Sequence, residues 1–276
     1  MKLKKVLADS TIKLSKSGIE GGARDARILK AYALEVPISD LLLKMNERVS
    51  GKIISKLEKL INRRINREPI SKILKRREFW GRSFSINENV LDPRCDTETL
   101  IDFVIEKPVK SVLELGTGSG AIAITLACEW EEVHVTAIDI SEDALVLAKI
   151  NAEKFNVQNK IQFLKSNWFD AIEGTFDLII SNPPYIGLIE KDSISAEVIK
   201  YDPEIALFAG NEGLDAYQRI IPNLEKFLKP EGSVVLEIGA YQSNQVKNMM
   251  NAVGFFDIRI VKDLSGKDRL IATKSD

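Results

Sequence analysis

The chain has 276 residues, of which 45% are apolar and 29% are charged, a composition typical of globular proteins. That length suits one large domain or two ordinary ones, each with a substantial core. No apolar run reaches the roughly 20 residues that a membrane helix needs, and the basic start, Met1–Asp9, lacks the features of a signal peptide. Cys95 and Cys128 have no paired spacing, and the single histidine, His134, lies in an apolar strand-like run. We therefore expect a soluble cytoplasmic protein without a structural metal.

The two parts of the chain differ in charge. Residues 1–80 carry 20 lysines and arginines against 9 acidic residues, a net charge of +11. Residues 81–276 carry 19 against 31, a net charge of −12. This division favours two domains, the first of which has an anionic partner. Basic side chains that only solvate helix surfaces would give the same asymmetry, and both interpretations stay open.

The first part of the chain has the pattern of short amphipathic helices. Apolar residues recur at helical spacing in Ala26–Leu34 and again in Ile53–Ile61. Residues 78–86 then have aromatic side chains at alternating positions, and a turn signal follows at 87–89, which together predict a β-hairpin. The expected regions are a helical domain, a hairpin linker and a larger domain, over residues 1–76, 77–94 and 95–276.

Strand-like and helix-like runs alternate from about residue 109 onward. The predicted strands are Ser111–Leu115, Val133–Ile138, Ile161–Leu164, Phe176–Ser181, Ser233–Ile238, Phe256–Val261 and Arg269–Thr273. The predicted helices are Ala121–Ala127, Ser141–Phe155, Leu214–Leu228 and Gln242–Ala252. This alternation predicts an α/β fold with a doubly wound, mostly parallel sheet of seven strands. A short loop separates the last two strands, which could pair antiparallel at one edge.

A glycine-rich loop follows the first predicted strand. Glycine has no Cβ, so such a loop can turn sharply and let a ligand approach the backbone. The spacing G-x-G-x-G is tighter than the G-x-G-x-x-G of dinucleotide sites, and it resembles the loop that passes under S-adenosylmethionine in class I methyltransferases. The loop residues are Gly116, Thr117, Gly118, Ser119 and Gly120. A plain strand-to-helix turn is the competing interpretation.

Two residues after later strands extend the expected cofactor site. Asp139 follows the second predicted strand, 23 residues after Gly116, where an acidic residue binds the ribose hydroxyls of adenosine in folds of this type. Trp168 follows the third strand, and its indole could stack on an adenine ring. A surface or core position explains the tryptophan equally well. The glycine loop and Asp139 together predict an S-adenosylmethionine site.

The loop after the fourth predicted strand is the expected reacting centre. Its residues are Asn182, Pro183, Pro184 and Tyr185. The prolines stiffen the loop and lack N–H donors, so the loop presents two acceptors, the Asn182 side-chain oxygen and the Pro183 carbonyl. A planar NH₂ group is a poor nucleophile because its lone pair is delocalised. Two fixed acceptors would hold both N–H bonds and aim the lone pair at a methyl group.

Tyr185 is expected to pack its ring against the planar group and exclude water. The competing interpretation of the whole loop is a simple turn, because Asn-Pro is a common turn signal. The loop lies at the carboxyl end of a strand beside the glycine loop, which is where ligands bind in open α/β sheets. That placement favours a functional loop.

Several further motifs stand in the order typical of one known family. They are Asp25–Leu29, Arg67–Ile70, Glu78–Gly81, Pro93–Glu98, Tyr201–Glu204, Leu236–Gly239 and Asp263–Arg269. With the two loops above, they make the chain resemble the release factor glutamine methyltransferase family (PrmC/HemK) over nearly its whole length. Two positions depart from the family pattern. Cys95 stands in place of the usual proline, and Asn167 stands where aspartate is common and carries no charge.

The resemblance implies a helical N-terminal domain that helps bind a protein substrate, followed by a Rossmann-like class I methyltransferase domain. It implies that S-adenosyl-L-methionine is used to methylate the side-chain amide nitrogen of the glutamine in the Gly-Gly-Gln motif of class I peptide chain release factors. That modification supports translation termination. The cofactor-binding residues it implies are Gly116 to Gly120, Asp139, Trp168 and Asn182. We expect a cytoplasmic monomer without a membrane or nucleic-acid partner.

Two other functions stay open from the residues themselves. An adenine-N6 methyltransferase of DNA or RNA would meet the same loop chemistry with an exocyclic amine, and the basic first domain is compatible with it. No recognisable nucleic-acid-binding motif supports that function. A non-catalytic cofactor-sensing protein is the other alternative, and the intact acceptor loop argues against it because binding alone does not need two acceptors.

Overall fold

The computed structural model describes residues 1–274, which form two compact units. The first unit contains Met1–Arg76 and the short segment Ala196–Tyr201, and the second contains Arg77–Ser195 and residues 202–274. The sequence pattern of residues 1–76 did not predict that Ala196–Tyr201, which lies much later in the sequence, belongs to the same unit. Over residues 1–274, each helix is too short or too polar to cross a bilayer.

The first unit is a small helical bundle. Its helices are α1 (Leu3–Lys16), α2 (Gly22–Leu34), α3 (Gly51–Ile65), α4 (Ile70–Leu74) and α8 (Ala196–Tyr201). Apolar residues at helical spacing, such as Leu57, Leu60 and Ile61 of α3, form its buried core. Helix α3 begins after Ser50, whose hydroxyl accepts the Ile53 N–H and satisfies one of the free donors of the first turn.

Arg64 links α8 to the other helices of this unit. Its buried guanidinium lies 2.7 Å from the carboxylate of Asp25 in α2 and 3.0 Å from that of Glu197 in α8. The Tyr201 hydroxyl also donates to the Asn66 carbonyl at 2.9 Å. A buried guanidinium that lost its carboxylates would be an unpaired charge, so these ion pairs favour one position for α8.

The second unit is built on a seven-stranded sheet with the order β5-β4-β3-β6-β7-β9-β8. The strands are β3 (Ser111–Leu115), β4 (His134–Asp139), β5 (Ile161–Lys165), β6 (Phe176–Ser181), β7 (Leu228–Glu237), β8 (Arg259–Lys262) and β9 (Asp268–Lys274). All pairings are parallel except those of β9, which runs antiparallel to both of its neighbours. The predicted doubly wound sheet with an antiparallel edge pair is confirmed. His134 begins β4 and is exposed.

Apolar cores lie on both faces of this sheet. Alternate residues of a strand face opposite sides, so Val112 and Leu178 belong to one core cluster and Leu113 and Ile179 to the other. The helices are α5 (Glu98–Val104), α6 (Ala121–Glu129), α7 (Glu142–Lys154), α9 (Asp215–Ile220), α10 (Leu224–Phe227) and α11 (Ser243–Ala252). Residues of α5 and α6 belong to the first cluster, and residues of α9, α10 and α11 to the second.

Three sequence-based boundaries in this unit were wrong, and one of them is the start of β8, which is Arg259 instead of the predicted Phe256. The single helix predicted over Leu214–Leu228 is divided into α9, a 3₁₀ turn at Ile221–Asn223 and α10. Pro222 causes the division, because it has no N–H to continue the helical hydrogen bonds. Strand β7 starts at Leu228, five residues before its predicted start, and its pairing with β6 is irregular between Leu228 and Ser233.

The predicted hairpin is present, with β1 (Arg76–Phe79) paired to β2 (Arg82–Ser85). The chain reverses at Trp80 and Gly81, whose φ angles are 47° and 68°, and not at the turn signal of residues 87–89. Two consecutive positive φ values are typical of the tightest hairpin turns, which glycine favours and tryptophan rarely adopts. Because tryptophan is unusual at the first position of such a turn, the sequence pattern did not predict a turn at Trp80 and Gly81.

Asn151 of α7 ties the hairpin to the glycine loop. Its side chain is completely buried and makes three hydrogen bonds. The amide nitrogen donates to the Ser85 carbonyl at 3.0 Å and the Ser119 carbonyl at 2.9 Å, and the amide oxygen accepts the Ser85 N–H at 2.8 Å. One side chain therefore satisfies buried backbone groups of both β2 and the loop after β3.

Replacing Asn151 by leucine keeps the branching and the number of heavy atoms of the side chain and removes all three bonds. We expect the free energy of unfolding to fall by about 3 kcal/mol, since each bond contributes roughly 1 kcal/mol and the backbone groups are left unsatisfied. Urea denaturation measures the difference. Asn223→Ala is the control, because Asn223 is exposed and makes one bond within its own helical turn. Equal effects of the two substitutions would contradict this account of Asn151.

Candidate active site

Three loops meet at the carboxyl edge of the central strands. Strand β3 lies between β4 and β6, and Leu115 at its end pairs with Ile138 on one side and Ser181 on the other. The Ser181 hydroxyl donates to the Leu115 carbonyl at 2.7 Å and holds the ends of β3 and β6 together. The strand order changes direction at β3, which makes this edge the topological switch point where open α/β sheets bind ligands.

A cavity of about 410 Å³ lies at this edge. Of the residues predicted from the sequence, those that line it are Gly116, Thr117, Ser119, Asp139, Trp168, Asn182 and Pro184. The predicted residues outside the lining are Gly118, Gly120, Pro183 and Tyr185. The three loops and the segment after β5 thus contribute to one concave site, with its dimensions in the range of small-molecule sites.

The three glycines of the loop have different surroundings. All have positive φ angles, 74° at Gly116, 54° at Gly118 and 81° at Gly120. A Cβ on Gly116 would meet nothing within 4 Å, so this position leaves open space beside the cavity. A Cβ on Gly120 would lie 2.8 Å from the Ile124 side chain and 3.2 Å from that of Ala148, so Gly120 lets α6 and α7 approach.

Asp139 connects the glycine loop to the start of α7. One carboxylate oxygen accepts the Gly118 N–H and the other the Ser141 N–H, each at 2.9 Å. Burial raises the pKa of this carboxyl above its ordinary value, while the backbone hydrogen bonds oppose the rise. Each carboxylate oxygen has a further lone pair, so the group can still accept hydrogen bonds from a diol in the cavity.

Glu114, next to the last residue of β3, is a buried residue at the site for which the sequence predicted no role. It is 1% exposed, and its Oε2 accepts the Thr117 hydroxyl at 2.6 Å and the Ala123 N–H at 3.2 Å. Glu114 lines the cavity, and its Oε1 is buried without a hydrogen-bond partner among residues 1–274. Burial raises the pKa of Glu114 to about 8. A cationic or N–H-bearing ligand beside Oε1 would favour the ionised carboxylate over the protonated acid that burial favours, and the ionised oxygen could accept its hydrogen bond.

Trp168 is held in a strained backbone conformation. Its φ is 53°, a left-handed value that costs a bulky residue about 1–3 kcal/mol. The Ser166 hydroxyl donates to the Trp168 carbonyl at 2.7 Å and accepts the Ala171 N–H at 3.1 Å, which stabilises this turn. The indole is half-buried against the second core cluster and lines the cavity beside exposed Asn167.

Asn182 is oriented by a residue from a distant part of the sequence. Its amide nitrogen donates to the Thr97 hydroxyl oxygen at 2.9 Å. This bond uses the nitrogen end of the amide and leaves Oδ1 available as an acceptor at the cavity, which both residues line. The acceptor role expected of Oδ1 from the sequence stays a prediction.

Tyr185 is placed differently from expectation. Its ring packs against the second core cluster outside the cavity lining, and its hydroxyl lies 3.3 Å from Glu237 Oε1. Burial raises the pKa of its hydroxyl well above the ordinary value. The Gln242 side chain donates to the Tyr185 carbonyl at 2.9 Å. In this structure Tyr185 holds the loop against the second core cluster, outside the cavity lining.

An ion pair joins two of the motifs that were identified in the sequence. Arg94, in the motif Pro93–Glu98, lies 2.7 Å from the buried carboxylate of Asp202, in the motif Tyr201–Glu204. Arg94 and Ile205 line the cavity. The sequence indicated both motifs but not the ion pair between them, because 108 residues separate Arg94 from Asp202.

Family models match both parts of the chain. Residues 88–207 match the model described as Methyltransferase small domain, and residues 5–74 match the PrmC N-terminal domain. The first match includes the glycine loop and the loop after β6, so the second unit contains a domain of the methyltransferase class.

Relatives extend the similarity to nearly the whole chain. A release factor glutamine methyltransferase of Cereibacter sphaeroides is 38% identical, over 95% of this chain and 94% of the relative. One from Caulobacter vibrioides is 35% identical, over 94% and 91%. The chain belongs to the release factor glutamine methyltransferase family, which confirms the resemblance noted in the sequence. It also spans 56% of the length of a Rickettsia prowazekii bifunctional methyltransferase, to which it is 41% identical.

Solved structures share the fold at low identity. The hMettl16 catalytic domain, in complex with a 3′UTR hairpin, has a TM-score of 0.58 and 18% identity, over 75% of this chain and 79% of that one. A T. thermophilus 16S rRNA methyltransferase, in complex with AdoMet and guanosine, has a TM-score of 0.52 and 16% identity, over 73% and 50%. These likenesses confirm the methyltransferase architecture of the sheet.

Asp139 gives a direct test of the cofactor site. Asp139→Ala should weaken S-adenosylmethionine binding by about 1.5–3 kcal/mol, the range for hydrogen bonds to a charged group. Asp139→Asn should lie between the parent and the alanine variant, since one acceptor is kept. Calorimetry measures the affinities. Asp143→Ala, which removes an exposed carboxylate from the first turn of α7, should bind like the parent. Parent-like affinity of Asp139→Ala would place the ribose elsewhere.

Proposed function

We propose that the protein methylates the side-chain amide nitrogen of the glutamine in the Gly-Gly-Gln motif of class I peptide chain release factors. The observation that carries the proposal is the oriented Asn182 amide, whose Oδ1 is left free as an acceptor at a cavity beside a methyltransferase glycine loop. The names of the relatives support the choice of substrate. Two relatives named release factor glutamine methyltransferase are similar to this chain over more than nine tenths of their own length.

The residues around the cavity fit S-adenosyl-L-methionine, which supplies a methyl group on a sulfonium leaving group. Asp139 would accept the ribose hydroxyls, and Trp168 would cover the adenine. The open space at Gly116 admits a ligand close to the backbone. The unpartnered Oε1 of Glu114 offers an acceptor to the cationic part of the molecule. A neutral ligand would leave this buried acceptor with less compensation.

The loop after β6 is proposed to orient the glutamine. Asn182 Oδ1 would accept one N–H of the substrate amide and the Pro183 carbonyl the other, so that the nitrogen lone pair points at the methyl carbon. The pair of acceptors reduces rotation of the amide, and it stabilises the positive charge that the nitrogen gains as the bond forms. Tyr185 is proposed to stiffen the loop through its buried ring, and its expected contact with the substrate stays a prediction.

The helical unit is proposed to bind the body of the release factor. Its position in the sequence corresponds to the match with the PrmC N-terminal domain. The excess of basic residues over 1–80 would attract an acidic surface, and such steering is weakened by salt. We propose that the enzyme acts as a monomer in the cytoplasm and that nucleic acid is not its substrate.

Mass spectrometry of a class I release factor tests the proposed reaction. After incubation with the enzyme and S-adenosylmethionine, the Gly-Gly-Gln peptide should gain one methyl group on the glutamine. A release factor with Gln→Glu in that motif has no amide nitrogen and should gain none. Methylation of adenine in a nucleic-acid sample under the same conditions, with an unmodified release factor, would assign the chain to the alternative substrate.

Asn182 separates the chemical step from cofactor binding. Asn182→Ala removes one acceptor and should lower the single-turnover rate about 10²–10³-fold, the usual effect of losing one preorganised transition-state hydrogen bond. Asn182→Asp should also be slow, because a carboxylate near the sulfonium stabilises the charged ground state. Both variants should keep most of the cofactor affinity. A rate for Asn182→Ala within a few-fold of the parent, at saturating cofactor and release factor, would exclude the two-acceptor mechanism.

A further inference from the structure

The reacting loop, residues 182–185, is held differently at its two ends. At its start, the Ser181 hydroxyl bonds to the end of β3. Pro183 and Pro184 have no N–H, so neither can donate a hydrogen bond that would hold the middle of the loop. The positions of the two proposed acceptors, Asn182 Oδ1 and the Pro183 carbonyl, therefore depend on how the chain is held at Tyr185.

Gln242 holds the Tyr185 end of the loop. This side chain is 8% exposed and directly precedes α11. Its Nε2 donates to the carbonyls of Tyr185 at 2.9 Å, Gly213 at 3.2 Å and Glu212 at 3.4 Å. Its Oε1 accepts the Gly239 N–H at 3.0 Å. One buried side chain therefore joins the reacting loop to the segment before α9 and to the turn after β7.

The partners of Gln242 fix the orientation of its amide. The nitrogen faces three carbonyl oxygens, which only accept, and the oxygen faces a backbone N–H, which only donates. The reversed amide would place its oxygen against three oxygens and would satisfy none of these groups. Gln242 is outside the cavity lining, so we expect it to affect the reaction only through the loop that it holds.

Gly213 lets the backbone segments come this close. Its φ is 76°, and a Cβ there would lie 2.2 Å from the Tyr185 carbonyl oxygen and 2.8 Å from Gln242 Nε2. Both distances are shorter than the contacts that Cβ atoms make in proteins. The next residue along the loop is also fixed, since the Ile186 N–H donates to the Leu207 carbonyl at 2.9 Å. Close packing and hydrogen bonds thus hold the Tyr185 carbonyl in one position.

We propose that Gln242 is a positioning residue that sets the location of the two acceptors of the reacting loop. The proposal rests on the function proposed above, in which Asn182 Oδ1 and the Pro183 carbonyl accept the two N–H bonds of the glutamine. Pro184 stands between the Pro183 and Tyr185 carbonyls, and its ring fixes φ and stiffens this stretch. A displacement of the Tyr185 carbonyl is therefore transmitted to the Pro183 carbonyl. Displacements of about 1 Å can lower a rate roughly 10²-fold.

Single-turnover rates of Gln242→Met test the proposal. Methionine keeps an unbranched side chain of similar length and removes both the donor and the acceptor. We expect the rate at saturating cofactor and release factor to fall about 10-fold, as for a displacement of a fraction of an ångström. The affinity for S-adenosylmethionine should change little, because the glycine loop and Asp139 are untouched.

Ser243→Ala is the matched control. Ser243 is the next residue, is buried, and donates its hydroxyl to the Asp268 carboxylate at 2.7 Å. The variant loses a buried hydrogen bond at the start of the same helix, but that bond does not reach the reacting loop. It should keep the single-turnover rate of the parent.

Gln242→Glu tests the donor itself. The introduced carboxylate keeps the shape of the side chain and the acceptor for the Gly239 N–H, but it places lone pairs against the three carbonyls. At high pH the rate should fall at least as far as in Gln242→Met. A protonated carboxyl can donate its O–H to a carbonyl again, and burial favours that form. The rate relative to the parent should therefore rise as the pH falls, whereas that of Gln242→Met should not.

The Tyr185 carbonyl can be observed directly by nuclear magnetic resonance. Tyr185-Ile186 is the one Tyr-Ile pair in the sequence, so tyrosine labelled with ¹³C at the carbonyl and ¹⁵N-labelled isoleucine give a single peptide signal. The loss of a hydrogen bond shields a carbonyl carbon. The ¹³C signal should therefore move to a lower chemical shift in Gln242→Met and stay in place in Ser243→Ala. An unchanged signal in Gln242→Met would overturn the proposal without any substrate.

The kinetic outcomes distinguish this proposal from the proposed function. A parent enzyme that does not methylate release factor would reject the function. An active parent with an equally active Gln242→Met variant would reject the positioning role alone. Equal losses of rate in Gln242→Met and Ser243→Ala would also reject that role, because a general loosening of this region would then explain both.

Discussion

The parallel pairing of β3 with β4 and β6 is the constraint on which the site depends. Parallel strands end at the same edge, so the loops after all three are brought together whatever their own sequences are. The Ser181 hydroxyl bond to the Leu115 carbonyl fixes two of these ends against each other. Chemistry distributed over about 70 residues of sequence, from the glycine loop to the Asn182 loop, is thereby concentrated around one cavity of about 410 Å³.

Buried polar side chains hold the loops at this edge. Asn151 forms hydrogen bonds with both the hairpin and the glycine loop. Asp139 accepts the Gly118 N–H of that loop, and Glu114 accepts the Thr117 hydroxyl. Such networks are favourable only when their members are satisfied, because the low dielectric of the interior makes an unpaired group costly. Of these three side chains, Glu114 keeps one buried oxygen, Oε1, without a hydrogen-bond partner among residues 1–274.

The sequence predicted those features that depend on local spacing. The glycine loop, Asp139 and Asn182 follow strands directly, so strand order alone brings them to the same edge. Partners that depend on tertiary packing could not be predicted. Thr97 meets Asn182 across 85 residues, and α8 joins a helical unit that lies more than 100 residues earlier. The packing of Tyr185 against the second core cluster could not be predicted for the same reason. A residue name in a loop does not tell which face of the loop is buried.

The most direct measurement is a crystal structure of the protein with S-adenosylhomocysteine and a peptide that contains Gly-Gly-Gln. The account predicts the glutamine amide nitrogen within hydrogen-bond distance of both Asn182 Oδ1 and the Pro183 carbonyl, with its lone pair directed at the cofactor sulfur. Asp139 should contact the ribose. A glutamine amide bound away from Asn182, or held by donors where the account places acceptors, would contradict the central claim.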